Sequence, residues 1–186
     1  RDLHYGFVVS LLNDLFGIQV RGGCSCAGPY GHSLLGMNMD YSLAIETEIQ
    51  KGAIVLRPGW VRLNFNYFID EAEFQYLLNA LALVAEHGWR LLPYYHFDTE
   101  AGIWRYQGQA VSLPTDLASL RFATSGDEVV PRSTAPMDLE ALLVSARQEL
   151  CRNDRQGITA DLELDESAER LRWFVLPQEV LGKLRV

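Results

Sequence analysis

Clustered positive charge is what this 186-residue chain most lacks: 16 Lys and Arg stand against 24 Asp and Glu, for a net charge of −8. A general nucleic-acid surface or an anionic-membrane surface needs clustered Lys and Arg, so neither partner is expected. Lysine itself is reduced to Lys51 and Lys183. Cysteine is scarce too, and three thiols cannot all pair internally. Cys24 and Cys26 stand too close in sequence for an unstrained bridge, so a reducing, cytoplasmic setting is the simpler one. Polar residues break every apolar stretch well before the length of about 20 that spans a bilayer. No secretory signal and no internal repeat is visible. Against these absences stands 48% hydrophobic content, enough for a proper core in one domain, or one domain with an appendage. The chain starts at Arg1 and enters an amphipathic pattern within a few residues, which reads as a piece of something longer.

Leu3, Phe7, Val8, Leu11, Leu12, Leu15 and Phe16 recur at helical spacing before Gly17, predicting a helix over 4–16. Ile18 to Arg21 then reads as a short strand. Met39 to Lys51 reads as a helix capped by Asp40 or Ser42 and closed by Gly52. Trp60 to Phe68 alternates, with Val61, Leu63, Phe65 and Tyr67 on one face and Trp60, Arg62, Asn64 and Asn66 on the other, the pattern of a strand. Asp70 and Glu73 form a capping box ahead of an apolar run that stops at Gly88. Strand-like aromatic stretches over 89–106 flank a turn at 98–102. The aromatics Trp89, Tyr94, Tyr95, Phe97, Trp104 and Tyr106 read as core and sheet packing rather than a ligand groove. The expected organisation is a domain over 1–106, a linker over 107–137 and a C-terminal helical extension over 138–186. Within that extension Asp138 caps a helix through Arg152, a charged helix covers 165–172, and a short tail runs from Trp173.

The candidate chemistry lies in residues 21–32, Arg-Gly-Gly-Cys-Ser-Cys-Ala-Gly-Pro-Tyr-Gly-His. Two thiols sit on a loop of small residues that follows a strand, and Arg21 supplies a positive charge that favours thiolate over thiol. From residue types alone a purely structural loop stays open. His32 lies beside the thiols, whereas His4, His87 and His96 read as hydrogen-bonded structural residues. Cys-x-Cys with one histidine falls short of the four ligands of a structural zinc site, so no metal is expected. Cys151 lies on a predicted helix, where it is expected to pack.

Leu3-His4, the helix to Gly17-Ile18, Arg21-x-Gly23-x-x-Cys26-Ala27 and the downstream Arg62 resemble the C-terminal domain of class V aminotransferase-fold enzymes that depend on pyridoxal phosphate. Cysteine desulfurases are the nearest functional type. The resemblance covers residues 3–95, and Leu171-Arg172-Trp173-Phe174 is similar to the end of longer members. It implies the small C-terminal domain of that fold: α+β, with a small antiparallel or mixed sheet covered on one side by the helices at 4–16 and 70–87. It implies Cys26 as the catalytic nucleophile that accepts sulfur from a cysteine substrate, leaving a persulfide and releasing alanine. Arg62 would bind the substrate carboxylate through its planar fork, with Arg21 in support. The implied partners are an N-terminal domain that binds pyridoxal phosphate, an amino-acid substrate such as cysteine, a sulfur acceptor and a second subunit of a homodimer.

Departures from that pattern are informative. Desulfurases with this loop carry histidines just before the cysteine, where this chain has Cys24 and Ser25, so Cys24 is either a second thiol or a passive substitution. The helix at 39–51 separates Cys26 from Arg62 and is extra relative to compact desulfurases. Neither lysine follows a Ser-x-His motif, so this chain alone is expected to bind no pyridoxal phosphate. Two other readings remain: a class V aminotransferase, lyase or epimerase with incidental cysteines, and a non-catalytic module that binds metal or a partner through the Cys-x-Cys loop.

Overall fold

The computed structural model describes residues 1–24, 28–108, 138–152, 158 and 160–184. Helix α1 (Tyr5–Phe16) closes at the left-handed Gly17, whose turn sends the Ile18 N–H back to the Leu12 carbonyl. The turn occupies 17–20, so the strand expected over Ile18 to Arg21 instead starts at its last residue, as β1 (Arg21–Gly23). Helix α2 (Gly28–Leu34) follows within what the sequence reads as loop. Its Gly and Pro content argues against helix, yet Pro29 suits a first helical turn. Packing decides the matter: a Cβ added at Gly31 would stand 3.1 Å from the Cβ of Cys24.

Helix α3 (Met39–Gln50) takes Asn38 as its cap, correcting the expectation of Asp40 or Ser42. The Asn38 side chain accepts from the Tyr41 N–H, and the Ser42 hydroxyl donates to the Asn38 carbonyl. A 3-10 turn at Ile54–Leu56 leads to β2 (Trp60–Arg62), which pairs antiparallel with β1. The strand expected through Phe68 ends at Arg62, because Arg62 pairs with the first residue of β1 and the preceding backbone is committed to leaving α1. Beyond it the Asn66 side chain accepts from the Phe68 N–H, forming a turn on which Tyr67 is 89% exposed.

Helix α4 (Glu71–His87) has the capping box read from the sequence, with Asp70 and Glu73 bonded reciprocally. It runs directly into a 3-10 segment, Gly88–Tyr94, in place of the expected strand-like stretch. The hairpin follows as β3 (Tyr95–Asp98) and β4 (Ile103–Tyr106). Its turn is tied by the Asp98 carboxylate, which accepts from the Glu100 and Ala101 N–H groups and from Arg105, an arrangement that lowers its pKa. Nearly all of the expected linker, residues 109–137, lies outside the described residues. Helix α5 (Leu139–Leu150) begins at its sequence-read cap, Asp138, and the charged helix expected over 165–172 is α6 (Glu166–Leu171), capped by Asp165. The expected tail is instead a further helix, α7 (Pro177–Leu184), whose Val180 and Leu181 are buried. Cys151, expected to pack, is exposed at the end of α5.

The architecture is α+β, with two small antiparallel two-stranded sheets among helices in the described residues. One buried cluster joins Phe7, Leu11 and Leu12 of α1 to Ala80 and Val84 of α4, to Leu92 and Trp104, and to Leu150, Phe174 and Val180. At its edge sits His4, buried against the rings of Tyr5, Phe97, Trp104, Trp173 and Phe174. The expected core aromatics Tyr94, Tyr95 and Trp104 are buried, Trp89 and Phe97 are half-buried, and Tyr106 is exposed. Among the described residues no helix is long and apolar enough to cross a membrane.

Candidate functional site

The β1–β2 ladder organises the site. Its three pairs are Arg21 with Arg62, Gly22 with Val61 and Gly23 with Trp60. Two arginines far apart in sequence therefore stand directly opposite each other, both exposed. Glycine is required here because α1 lies beneath: a Cβ on Gly22 would stand 2.8 Å from the Tyr5 ring and from Val9. One on Gly59 would meet the Cα of Gly23 at 2.6 Å and the Tyr5 ring at 2.9 Å. The backbones at 22–23 and at 59 thus touch, with Tyr5 under both.

Past the ladder, Cys24 is free and half-buried, and it lines a cleft of about 810 Å³ between α2, α3 and the chain leading to β2. His32, Arg57 and Glu46 line the same cleft, with Met37, Leu43, Ile45 and Ile49 forming much of its apolar wall. Of the residues singled out from sequence, the structure pairs Arg21 with Arg62 and places Cys24 and His32 on the wall of one cleft. Cys26 lies outside the described residues. Sequence reasoning missed Arg57 and Tyr5. The signal for Arg57 was its place in Arg57-Pro58-Gly59, where a turn carries a charged side chain just ahead of a strand. The remaining histidines bear out a structural reading at His4, whose ring is bonded to backbone and to Trp104.

Electrostatics link these groups. Burial raises the pKa of the Tyr5 phenol, the Arg57 guanidinium opposes that rise, and Cys24 adds to it. Arg57 lines the cleft with Cys24 and also a second cavity with Tyr5. Among the described residues no group of three or more His, Cys, Asp or Glu is arranged to hold a metal ion.

The two lysines do not fit a pyridoxal phosphate site. Imine formation needs a neutral amine, and Lys51 is exposed and bonded to the Glu48 carboxylate at 2.7 Å, which raises its pKa. Glu48 is itself buried and also accepts from Ser167, so the pair serves to dock α6 on α3. Lys183 is exposed on α7, and neither lysine lines the cleft. Mixed with pyridoxal phosphate and then reduced with borohydride, this 186-residue chain is expected to carry no stoichiometric adduct on a single lysine. Intact-mass measurement showing one such adduct, mapped to Lys51 or Lys183, would overturn that expectation.

No family model, curated protein or solved structure matches this chain. Its chemistry is accordingly read from its own residues.

Proposed function

We propose that this chain is the C-terminal part of a pyridoxal-phosphate-dependent, cysteine desulfurase-like enzyme, in which Cys26 carries sulfur and Arg62, backed by Arg21, binds the substrate carboxylate. The observation that supports this reading most is the facing of Arg21 and Arg62 across β1–β2. Like charges directly opposite on paired strands repel. Neither guanidinium has an ion-pair partner among the described residues, although the chain carries 24 acidic residues. A carboxylate accepting from planar guanidinium forks relieves that repulsion, and an amino-acid substrate supplies one.

In sequence, Cys26 follows three residues after Gly23, the last residue of β1, whose first residue is Arg21. In the sulfur step the Cys26 thiolate takes the sulfur of a cysteine substrate. An S–S bond forms, the substrate C–S bond breaks, and its carbon gains a proton to become alanine, with no net oxidation. The residues that hold the cofactor belong, on this reading, to the N-terminal domain expected as partner, since the lysines here do not fit it.

The test is made on the intact parent protein. Cys26→Ala is expected to lower alanine release from cysteine on the order of a thousandfold, the scale set by removing a covalent nucleophile, and to abolish a trapped persulfide. Unchanged release would remove Cys26 from the chemistry and leave a class V aminotransferase, lyase or epimerase with incidental cysteines.

A further inference from the structure

A second cationic position in this chain is not used by that reading. Arg57 lines both the 810 Å³ cleft, with Cys24, and a smaller cavity of about 230 Å³, with Tyr5. Its guanidinium makes no hydrogen bond or ion pair among the described residues, although Glu46 lines the first cavity and Glu100 the second. The Tyr5 hydroxyl likewise has no hydrogen-bond partner among the described residues. Its ring is held on both sides, stacked near-parallel to Trp173 at a 6° interplanar angle and pressed against the backbones of Gly22 and Gly59. Cys24 is also held in place, since α2 approaches it at Gly31. Arg57 thus shares one cavity with Cys24 and another with Tyr5, whose ring lies under the contact between residues 22–23 and 59. The half-buried Tyr5 hydroxyl and the exposed Arg57 guanidinium are without an acceptor among the described residues.

We propose that Arg57 and the Tyr5 hydroxyl form a carboxylate-binding subsite beside Cys24, distinct from the Arg21–Arg62 pair, which holds a small carboxylate with its neighbouring carbon or sulfur against the Cys24 thiol. The ligand class is a short carboxylic acid substituted at the next carbon. A guanidinium supplies two parallel donors to such a group, and a phenol supplies a third. The apolar wall of Met37, Leu43 and Ile45 takes the remainder of the molecule. The site is independent of the desulfurase reading, because neither Cys26 nor the cofactor takes part.

Alkylation reads it directly. Iodoacetate and iodoacetamide both convert a thiolate to a thioether with loss of iodide, and only iodoacetate carries a carboxylate. In the full chain with Cys26→Ser, the iodoacetate-to-iodoacetamide rate ratio at Cys24 is expected to exceed that at Cys151 by about tenfold, the scale of one charge-assisted contact in a partly exposed site. Cys151 is an apt reference: it is exposed, and its neighbour Arg152 is paired with Glu149. Arg57→Gln should bring the Cys24 ratio down to that of Cys151, Arg57→Lys should retain part of the excess, and Tyr5→Phe should lower it while keeping the ring. Equal ratios at the two cysteines in the unsubstituted Arg57 chain would overturn the proposal. So would an excess that survives Arg57→Gln. Circular dichroism of each variant separates loss of the subsite from loss of fold.

Discussion

Replacing Arg172 by methionine is expected to destabilise the protein by about 3 kcal/mol or more, the scale for removing one partner of a buried ion pair. The Arg172 side chain is only 3% exposed. All five of its N–H donors are used: Nε and Nη2 on Glu169, Nη1 and Nη2 on Glu179, and Nη1 on the Phe174 carbonyl at 2.6 Å. Methionine fills similar space but leaves that carbonyl and two converging carboxylates without their shared cation. Glu169 and Glu179 are 41% and 39% exposed, so water recovers part of their solvation, which places the cost at the lower end of the range for buried pairs. Arg1 adds a weaker contact to both carboxylates and does not reach the carbonyl. Lysine offers three donors from one point and cannot satisfy two carboxylates bidentately, so Arg172→Lys should fall between. Urea unfolding followed by tryptophan fluorescence checks the order. A loss below about 1 kcal/mol for methionine would mean that the cluster is as weak as an exposed pair.

Acidification is expected to remove about 3 kcal/mol of stability through His4 alone. Burial pushes its pKa down from 6.5 to about 4, against a smaller opposing effect of its bond to the Val55 carbonyl. The geometry states why. The Gly6 N–H and the Trp104 Nε1–H both donate to Nδ1, at 3.0 and 3.1 Å, so the ring proton sits on Nε2 and donates to Val55. A second proton at Nδ1 would face two N–H donors inside a cage of five aromatic rings. Between pH 6.5 and 4 the unfolded chain therefore binds a proton that the folded chain refuses. Stability is full above the upper value, falls as the pH drops, and levels off for this group below the lower one. Denaturation at several pH values across that window, in parallel with His4→Asn, isolates the effect. Asparagine can still cap α1, so the variant should be weaker near neutral pH yet lose less on acidification. Equal slopes for the two proteins would assign the acid sensitivity elsewhere.

The two predictions meet in one region, because Trp173 stacks on His4 and Phe174 packs edge-on against it, while the carbonyl of Phe174 is held by Arg172. A parallel bridge between Asp2 and Phe174 closes the same seam. The C-terminal segment thereby seats the N-terminal cap of α1, the helix on which the β1–β2 ladder rests. Changes near residues 172–174 should accordingly disturb the cleft at a distance.

How far this was legible varies by element. Helices α1, α4, α5 and α6 announce themselves because their information is local: apolar spacing at helical period, and a side chain at the N-cap that satisfies free N–H groups. The capping box at Asp70 and Glu73 and the cap at Asp138 appear in the structure as read. The ends of β1 and β2 were not legible, since a strand lasts only while another backbone runs beside it. Helix α2 was hidden by its own glycine and proline, whose local cost is met by packing on Cys24 and Trp60. Helix α7 was hidden by its shortness, its helical state resting on burial of Val180 and Leu181.

For the site, sequence alone determined that thiols, glycines and Arg21 lie together in 21–32, because neighbours in sequence remain neighbours in space. It also determined the excess of acid over base and the two lysines, which composition states without any fold. Only the tertiary structure decided that Arg62 faces Arg21, that Tyr5 lies beneath Gly22 and Gly59, and that Arg57 shares a cleft with Cys24. Such meetings depend on the register of a three-residue ladder and on how closely a helix approaches it, and both are set by packing over the whole core rather than by any local pattern.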